Sequence, residues 1–169
     1  MIHEFIFSGI GGQGILLAGQ LLCKAAVKKG HLVTWAPTYG QEKRGGRTMC
    51  QVVISDEVGS PVISEADIVL VMDEKSFRDF EGRVKEKGYL IVNSSLIKAQ
   101  PTRTDVNVIP IPITEIAEKT GNTKTANMVA LGAFARYFDL IPLEELKAEL
   151  ETAFVSKPKV VELNKAAMQ

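Results

Sequence analysis

Apolar residues in this chain alternate between short β-branched runs and longer stretches with helical spacing, and that alternation predicts the architecture. Phe5-Ile6-Phe7 reads as a first strand and His31-Leu32-Val33-Thr34-Trp35 as a second. Residues 48–55, 67–72, 89–93 and 106–111 read as four more, each bounded by turn residues. Between Asp67 and Asp73 the run Ile68-Val69-Leu70-Val71-Met72 is unbroken. That is the pattern of a strand covered on both faces, so the sheet is expected to be mostly parallel. Ile15, Ala18, Leu22 and Ala25 are spaced for a helix over 12–29, with Lys24, Lys28 and Lys29 near its end and Gly30 beyond it.

Helical spacing returns from Thr123, with Met128, Leu131, Ala135 and Phe138 on one stripe. Gly132 inside that stretch costs about 1 kcal/mol against alanine, which predicts a close packing contact there. Val129, Ala133 and Phe134 widen the apolar face, as in a core helix or in one that also meets another chain. Residues 143–154 are amphipathic, and Pro158 opens a last helix with Ser156 as its cap. Residues 56–61 read as a plain turn or hairpin tip. The expectation is one domain over 1–169, an α/β fold with a doubly wound, mostly parallel sheet and helices on both faces.

Candidate chemistry begins between the first strand and the first helix, where the chain reads Gly9-Ile10-Gly11-Gly12-Gln13-Gly14. A glycine turn there aims free backbone N–H groups and the positive end of the helix dipole at one point, a setting for phosphate or another anion. The spacing fits a dinucleotide turn, but that use also needs an acid about 20 residues on, at the end of the second strand. The second strand instead runs into Ala36-Pro37-Thr38-Tyr39, so ordinary NAD binding is disfavoured. A turn that merely packs helix on strand remains an equal reading. Asp73, at the end of the fourth strand, faces the same crevice or caps the helix that Glu74 opens.

The second feature is the loop Pro37-Thr38-Tyr39-Gly40-Gln41-Glu42-Lys43-Arg44-Gly45-Gly46-Arg47, expected to be exposed and the least ordered part of the chain without partners. In a doubly wound sheet it leaves the same edge as the glycine turn. Lys43, Arg44 and Arg47 would offer charge and forked donors to phosphate oxygens, and Tyr39 or Trp35 a ring for an adenine. Taken alone, such a basic run is more often a solvated loop.

The rest of the composition narrows the classes. Twenty basic and twenty acidic residues among 169 leave a net charge of zero, so no global field recruits nucleic acid or an anionic membrane. No apolar run approaches the length of a membrane span, and the N-terminus lacks a basic leader region, so a cytoplasmic protein is expected. Cys23 and Cys50 show no metal-ligand spacing, and two thiols are too few for an iron–sulfur cluster. His3 and His31 give little from which to build a histidine site.

At these residues the chain resembles the gamma subunit of 2-oxoacid:ferredoxin oxidoreductases of the 2-oxoglutarate or branched-chain (2-oxoisovalerate) type. The likeness is carried by Gly9-Ile10-Gly11-Gly12-Gln13-Gly14, by Tyr39-Gly40-Gln41-Glu42-Lys43-Arg44-Gly45-Gly46, by Ala66-Asp67 leading to Met72-Asp73, and by the stretch from Asn127 to Gly132. It implies a Rossmann-like α/β subunit of an enzyme that turns a 2-oxoacid, coenzyme A and oxidised ferredoxin into acyl-CoA, carbon dioxide and reduced ferredoxin. It also implies alpha and beta companion chains, with a ferredoxin-like delta chain as an optional fourth; thiamine diphosphate and the iron–sulfur clusters belong to the companions.

The resemblance puts this domain on the coenzyme A side of the reaction. Gly9, Gly11, Gly12, Gln13, Gly14, Tyr39, Lys43, Arg44 and Arg47 are therefore expected to bind that cofactor, with no catalytic and no metal-ligating residue. The same loop could equally dock on the thiamine-bearing chain, with Arg44 and Glu42 in interface ion pairs. The alternatives are the beta subunit of indolepyruvate oxidoreductase, which shares the glycine turn, and a free-standing nucleotide-binding or redox-sensing module. A nucleic-acid binder has only the short basic loop in its favour.

Overall fold

The structure is a computed structural model that describes residues 1–169 except 11–13, 40–45 and 59–61 and the side chain of Tyr39. Six strands form one sheet: β1 (Ile2–Ile10), β2 (Leu32–Tyr39), β3 (Arg47–Ser55), β4 (Ala66–Val71), β5 (Val84–Asn93) and β6 (Asn107–Ile111). Their order is β2-β3-β1-β4-β5-β6, with β1, β4, β5 and β6 parallel and β3 antiparallel to both of its neighbours. Every strand read from the sequence is present, and β1, β2 and β5 run longer than their apolar runs. The second and third strands pair antiparallel with one another. As a result β3 separates β2 from β1, although helix α1 (Ile15–Lys28) joins those two in sequence.

Side-chain alternation along the strands divides the core in two. Phe5, Phe7, Cys50, Val52, Ile54, Leu70 and Ile91 point to the face that carries α1, α3 (Ile113–Lys119), α4 (Ala126–Arg136), α5 (Leu143–Ala153) and α6 (Pro158–Met168). Ile6, Met49, Val53, Val69, Val71, Leu90 and Val92 point to the other, covered by Phe77 and Phe80 of α2 (Glu74–Phe80) with Ile63 and Ile97. Helices thus lie on both faces, unequally shared. On the first face Phe134 packs edge-on against Phe5 at 4.9 Å and Phe7 at 5.1 Å, centroid to centroid. Such pairs are worth about 0.5–1.5 kcal/mol beyond the area they bury, and here they fix α4 on β1.

Gly132 marks a close approach, as its place in an apolar helix predicts. A Cβ there would lie 2.0 Å from the Met168 carbonyl oxygen, so α6 rests directly on the backbone of α4. Val129 and Phe134 are buried, which makes α4 a core helix.

Two local expectations change. Ser156 does not cap α6: Lys157 occupies the N-cap without a side-chain bond, and Ser156 lies in the preceding turn. Phe138 lies beyond the end of α4 but still packs in the core. Residues 59–61 of the expected turn or hairpin tip lie outside the described residues, and the flanking strands β3 and β4 do not pair, since β1 lies between them. Helix α3 goes unread in the sequence. Among the described residues no helix is long and apolar enough to cross a membrane.

Candidate functional site

The parallel strands all end at one edge of the sheet, and the two chemical segments are tethered there. Ile10, the last residue of β1, lies opposite Arg47, the first of β3, while Tyr39, the last of β2, lies opposite Thr48. Residues 11–13 and 40–45 therefore depart from neighbouring positions on the same edge. That edge includes the gap between β1 and β4, where the chain's path through the sheet reverses direction, which is where ligands bind in open α/β sheets. Of the expected site residues, Gly11, Gly12, Gln13, Lys43 and Arg44 lie outside the described residues, as does the Tyr39 side chain.

Gly9 is buried within β1, and Gly14 is the N-cap of α1, with φ +69° and ψ +24°. This left-handed geometry costs an L-residue about 1–2 kcal/mol, so glycine suits the position on backbone grounds alone. A second constraint comes from Asn127. Its Nδ2 donates to the Gly14 carbonyl at 3.2 Å, and a Cβ on Gly14 would sit 2.4 Å from that nitrogen. The Asn127 Oδ1 in turn accepts from the Met128 N–H at 3.0 Å. No acidic residue lies in the first turn of α1 or of α4, so no side chain there neutralises either positive helix end.

Arg47 sits on β3 and already has partners. Its guanidinium pairs with the Asp79 carboxylate of α2 and lies over the Phe80 ring, 5.1 Å from the centroid, with Arg83 5.7 Å from the same ring. The loop is also shorter than the sequence suggests, because Pro37, Thr38 and Tyr39 belong to β2. Trp35 is turned away from this edge's ligand side. It packs with the core beneath α1, and its buried indole Nε1 has no nitrogen or oxygen acceptor and lies against the Cys50 thiol. Burial pushes the Cys50 thiol up to about 12, the Trp35 contact working against the rise. Burial also pushes Cys23 up to about 12, with Cys50 nearby adding to it.

Asp73 is a cap. Its carboxylate accepts from the Ser76 N–H at 3.4 Å and from the Ser76 hydroxyl at 2.5 Å, and that hydroxyl accepts from Ser8 of β1 at 2.8 Å. The chain of bonds ties the end of β4 to β1 directly behind the glycine segment. Asn93, fully buried at the end of β5, donates to the Met72 carbonyl and the Thr114 hydroxyl, and its Oδ1 accepts from the Thr114 N–H. Polar side chains therefore brace this edge, and the role of Asn127 is the one the residue pattern did not disclose. The sequence shows only an amide in the first turn of an otherwise apolar helix, which does not reveal its partner.

A cleft of about 690 Å³ opens at the opposite edge, between β4, β5 and the turn after α4, with Tyr89, Tyr137 and Phe138 on its walls. Its Lys85 is held by Glu4 at 2.7 Å and Asp67 at 3.3 Å. Burial opposes the lysine charge, but the two carboxylates outweigh it and raise the pKa. His3 also lines this cleft, edge-on against Phe138, whereas His31 lies 3.5 Å from Asp56.

Comparison with known proteins identifies relatives of this chain and of its fold. Residues 4–169 match the family described as pyruvate ferredoxin/flavodoxin oxidoreductase. The chain is 34% identical over 159 residues to ketoisovalerate oxidoreductase subunit VorA of Methanothermobacter thermautotrophicus, spanning 93% of this chain and 33% of that one. It is 34% identical over 151 residues to 2-oxoglutarate synthase subunit KorC of Methanocaldococcus jannaschii, 87% of this chain and 81% of that one. It thus spans about a third of the ketoisovalerate relative. Among solved structures, the gamma subunit of a keto/oxoacid ferredoxin oxidoreductase from Geobacter sulfurreducens superposes with a TM-score of 0.85 at 30% identity, covering 99% of this chain and 94% of that one. The 2-oxoglutarate:ferredoxin oxidoreductase of Magnetococcus marinus, solved with 2-oxoglutarate, coenzyme A and succinyl-CoA bound, superposes with a TM-score of 0.90 at 25% identity, over 99% of this chain and 30% of that one.

Proposed function

Because this chain belongs to the pyruvate ferredoxin/flavodoxin oxidoreductase family, we propose that it works as the gamma-type subunit of a 2-oxoacid:ferredoxin oxidoreductase and holds coenzyme A for the reaction. The enzyme would convert a 2-oxoacid, of the 2-oxoglutarate or branched-chain type, and coenzyme A into acyl-CoA and carbon dioxide, passing the two electrons to ferredoxin. Alpha and beta companion chains carry thiamine diphosphate and the iron–sulfur clusters and, with this chain, form a cytoplasmic complex. Of this chain's own thiols Cys50 is buried and Cys23 half-buried, and burial disfavours the thiolate in both, which suits a partner that ligates no cluster.

The observation that carries the coenzyme A assignment is the pairing of Ile10 with Arg47. It tethers the glycine segment and the basic loop side by side at the edge where α1 presents its positive end. A diphosphate bearing an adenine suits such a site, and the second strand ends on Tyr39 and not on the carboxylate that a nicotinamide dinucleotide's ribose would need. The phosphate-facing groups are the N–H groups around Gly11, Gly12, Gln13 and Gly14, with Lys43 and Arg44 supplying charge and Tyr39 the ring. Arg47 contributes as the anchor of the loop, since Asp79 and Phe80 occupy its guanidinium. Binding and orientation are this chain's share; bond making occurs at thiamine diphosphate on a companion.

The test is the Michaelis constant for coenzyme A in the assembled enzyme after Lys43→Ala and Arg44→Ala. A rise of about ten-fold or more, with the constant for the 2-oxoacid unchanged, supports the assignment. An unchanged coenzyme A constant overturns it and leaves subunit docking as the loop's role.

A further inference from the structure

Asn127 bridges the starts of two helices, and nothing in the local sequence requires it to. It is 5% exposed and lies 113 residues from Gly14, yet its side-chain amide bonds both ends of the junction. Nδ2 donates to the carbonyl of the α1 N-cap, and Oδ1 accepts from the Met128 N–H in the first turn of α4. The Gly14 carbonyl also receives the first bond of α1 from the Ala18 N–H at 3.3 Å. Drawing on that carbonyl fixes the plane of the peptide that opens the helix, and with it the direction of the free N–H groups in the first turn. A side chain of any size on Gly14 would displace the amide, so the glycine and the asparagine fit only together.

We propose that Asn127 is a positioning residue for diphosphate binding: it locks the N-terminus of α1 against α4 so that the unpaired first-turn N–H groups are already aimed when coenzyme A arrives. The inference rests on the coenzyme A reading above and deepens it. Its energetic logic is preorganisation. A helix start free to rock loses binding each time a ligand must order it, whereas one pinned through its own N-cap carbonyl does not. The amide is also neutral, so it braces the turn without placing negative charge beside the anion, as an aspartate in the same place would.

The experiment compares Asn127→Asp, Asn127→Ser and Arg44→Ala in the assembled enzyme, reading the Michaelis constants for coenzyme A and for the 2-oxoacid separately from kcat. Asn127→Asp keeps the volume but loses the donor and adds a charge; the expected result is a rise of about ten-fold or more in the coenzyme A constant, with kcat at saturating coenzyme A and the 2-oxoacid constant within about two-fold. Asn127→Ser, smaller and still able to donate, is expected to fall between it and the unaltered enzyme, and serves alone if the aspartate variant does not assemble. If Arg44→Ala raises the coenzyme A constant and neither Asn127 variant does, the positioning role is overturned while the coenzyme A reading stands. If none of the three moves it, the coenzyme A reading itself fails and the positioning role with it. A fall in kcat with every Michaelis constant unchanged would mark Asn127 as merely structural and also overturn the proposal.

Discussion

The Asn127 side-chain amide and the Gly14 carbonyl, brought together at 3.2 Å, join α4 to the start of α1 where Gly14 turns through a positive φ. Gly14→Ala should therefore meet two penalties: the left-handed backbone and the overlap with Asn127. Together they amount to about 2–4 kcal/mol. Combining it with Asn127→Ala should relieve the overlap and leave the backbone cost, so the two changes are expected to be non-additive in a denaturant-unfolding cycle. Strict additivity would mean that the two residues are not coupled.

Gly132→Ala is a contest between propensity and space. Alanine gains about 1 kcal/mol in a helix interior, whereas a Cβ 2.0 Å from the Met168 carbonyl demands a backbone shift costing about 1–3 kcal/mol. The shift should win, and hydrogen exchange should show the loss concentrated in α6 as it lifts from α4. A variant as stable as the parent would show that the close approach does not hold.

Arg47→Ala and Asp79→Ala should each lower stability by about 0.5–1.5 kcal/mol, since the pair is partly exposed and the Phe80 contact adds a modest cation–π contribution. The arginine change should cost more, because it alone also removes the stacking. Urea unfolding of the two single variants decides the order.

Both thiols should be inert in the native chain. With each pKa pushed up to about 12, about one thiol in ten thousand is ionised at pH 8. Ellman's reagent is expected to react slowly with the folded protein and to count two thiols promptly once it is denatured. Rapid modification of either in the native state would contradict this, most directly at Cys50, which is buried.

Glu74 should give the fold an acid-sensitive contact. Its carboxylate accepts from the Lys98 N–H at 2.7 Å and the Ala99 N–H at 3.1 Å, closing the segment after β5 onto α2. The Lys98 bond chiefly, with Ala99 and Arg78, outweighs burial and holds the carboxyl below the usual glutamate range. A depressed folded value means that the contribution is complete above the ordinary value of about 4.3 and disappears as the pH falls through the folded one. Glu74→Gln should flatten that part of the stability profile, read by urea unfolding between about pH 3 and pH 6.

Much of this was legible because strands covered on both faces write themselves as unbroken apolar runs, as from Ile68 to Met72, and because Gly30 and the lysines before it mark the end of α1. The reversed direction of β3 was not, since residues 48–55 look the same whichever way the strand runs and only pairing sets its sense. Helix α3 escaped because seven residues opened by Pro112 give too little periodicity. Ser156 misled because a hydroxyl near a helix start is a common cap, but the turn ending at Lys157 placed it one residue too early. At the candidate site the common edge of the glycine segment and the basic loop followed from sheet topology, and Ile10 indeed lies opposite Arg47. The commitment of Arg47 to Asp79 and the bond from Asn127 to Gly14 join residues far apart in sequence, and no local pattern announces such pairs.

The most direct test of the account is to purify this chain with its bound partners under anaerobic conditions from its native cells, identify them, and assay viologen reduction over a range of 2-oxoacids with and without coenzyme A. The account predicts companion chains bearing thiamine diphosphate and iron–sulfur clusters, and reduction that requires a 2-oxoacid and coenzyme A together. A chain that emerges alone, without that activity and stabilised by NAD but not by coenzyme A, would contradict it and point to a solitary nucleotide-binding domain.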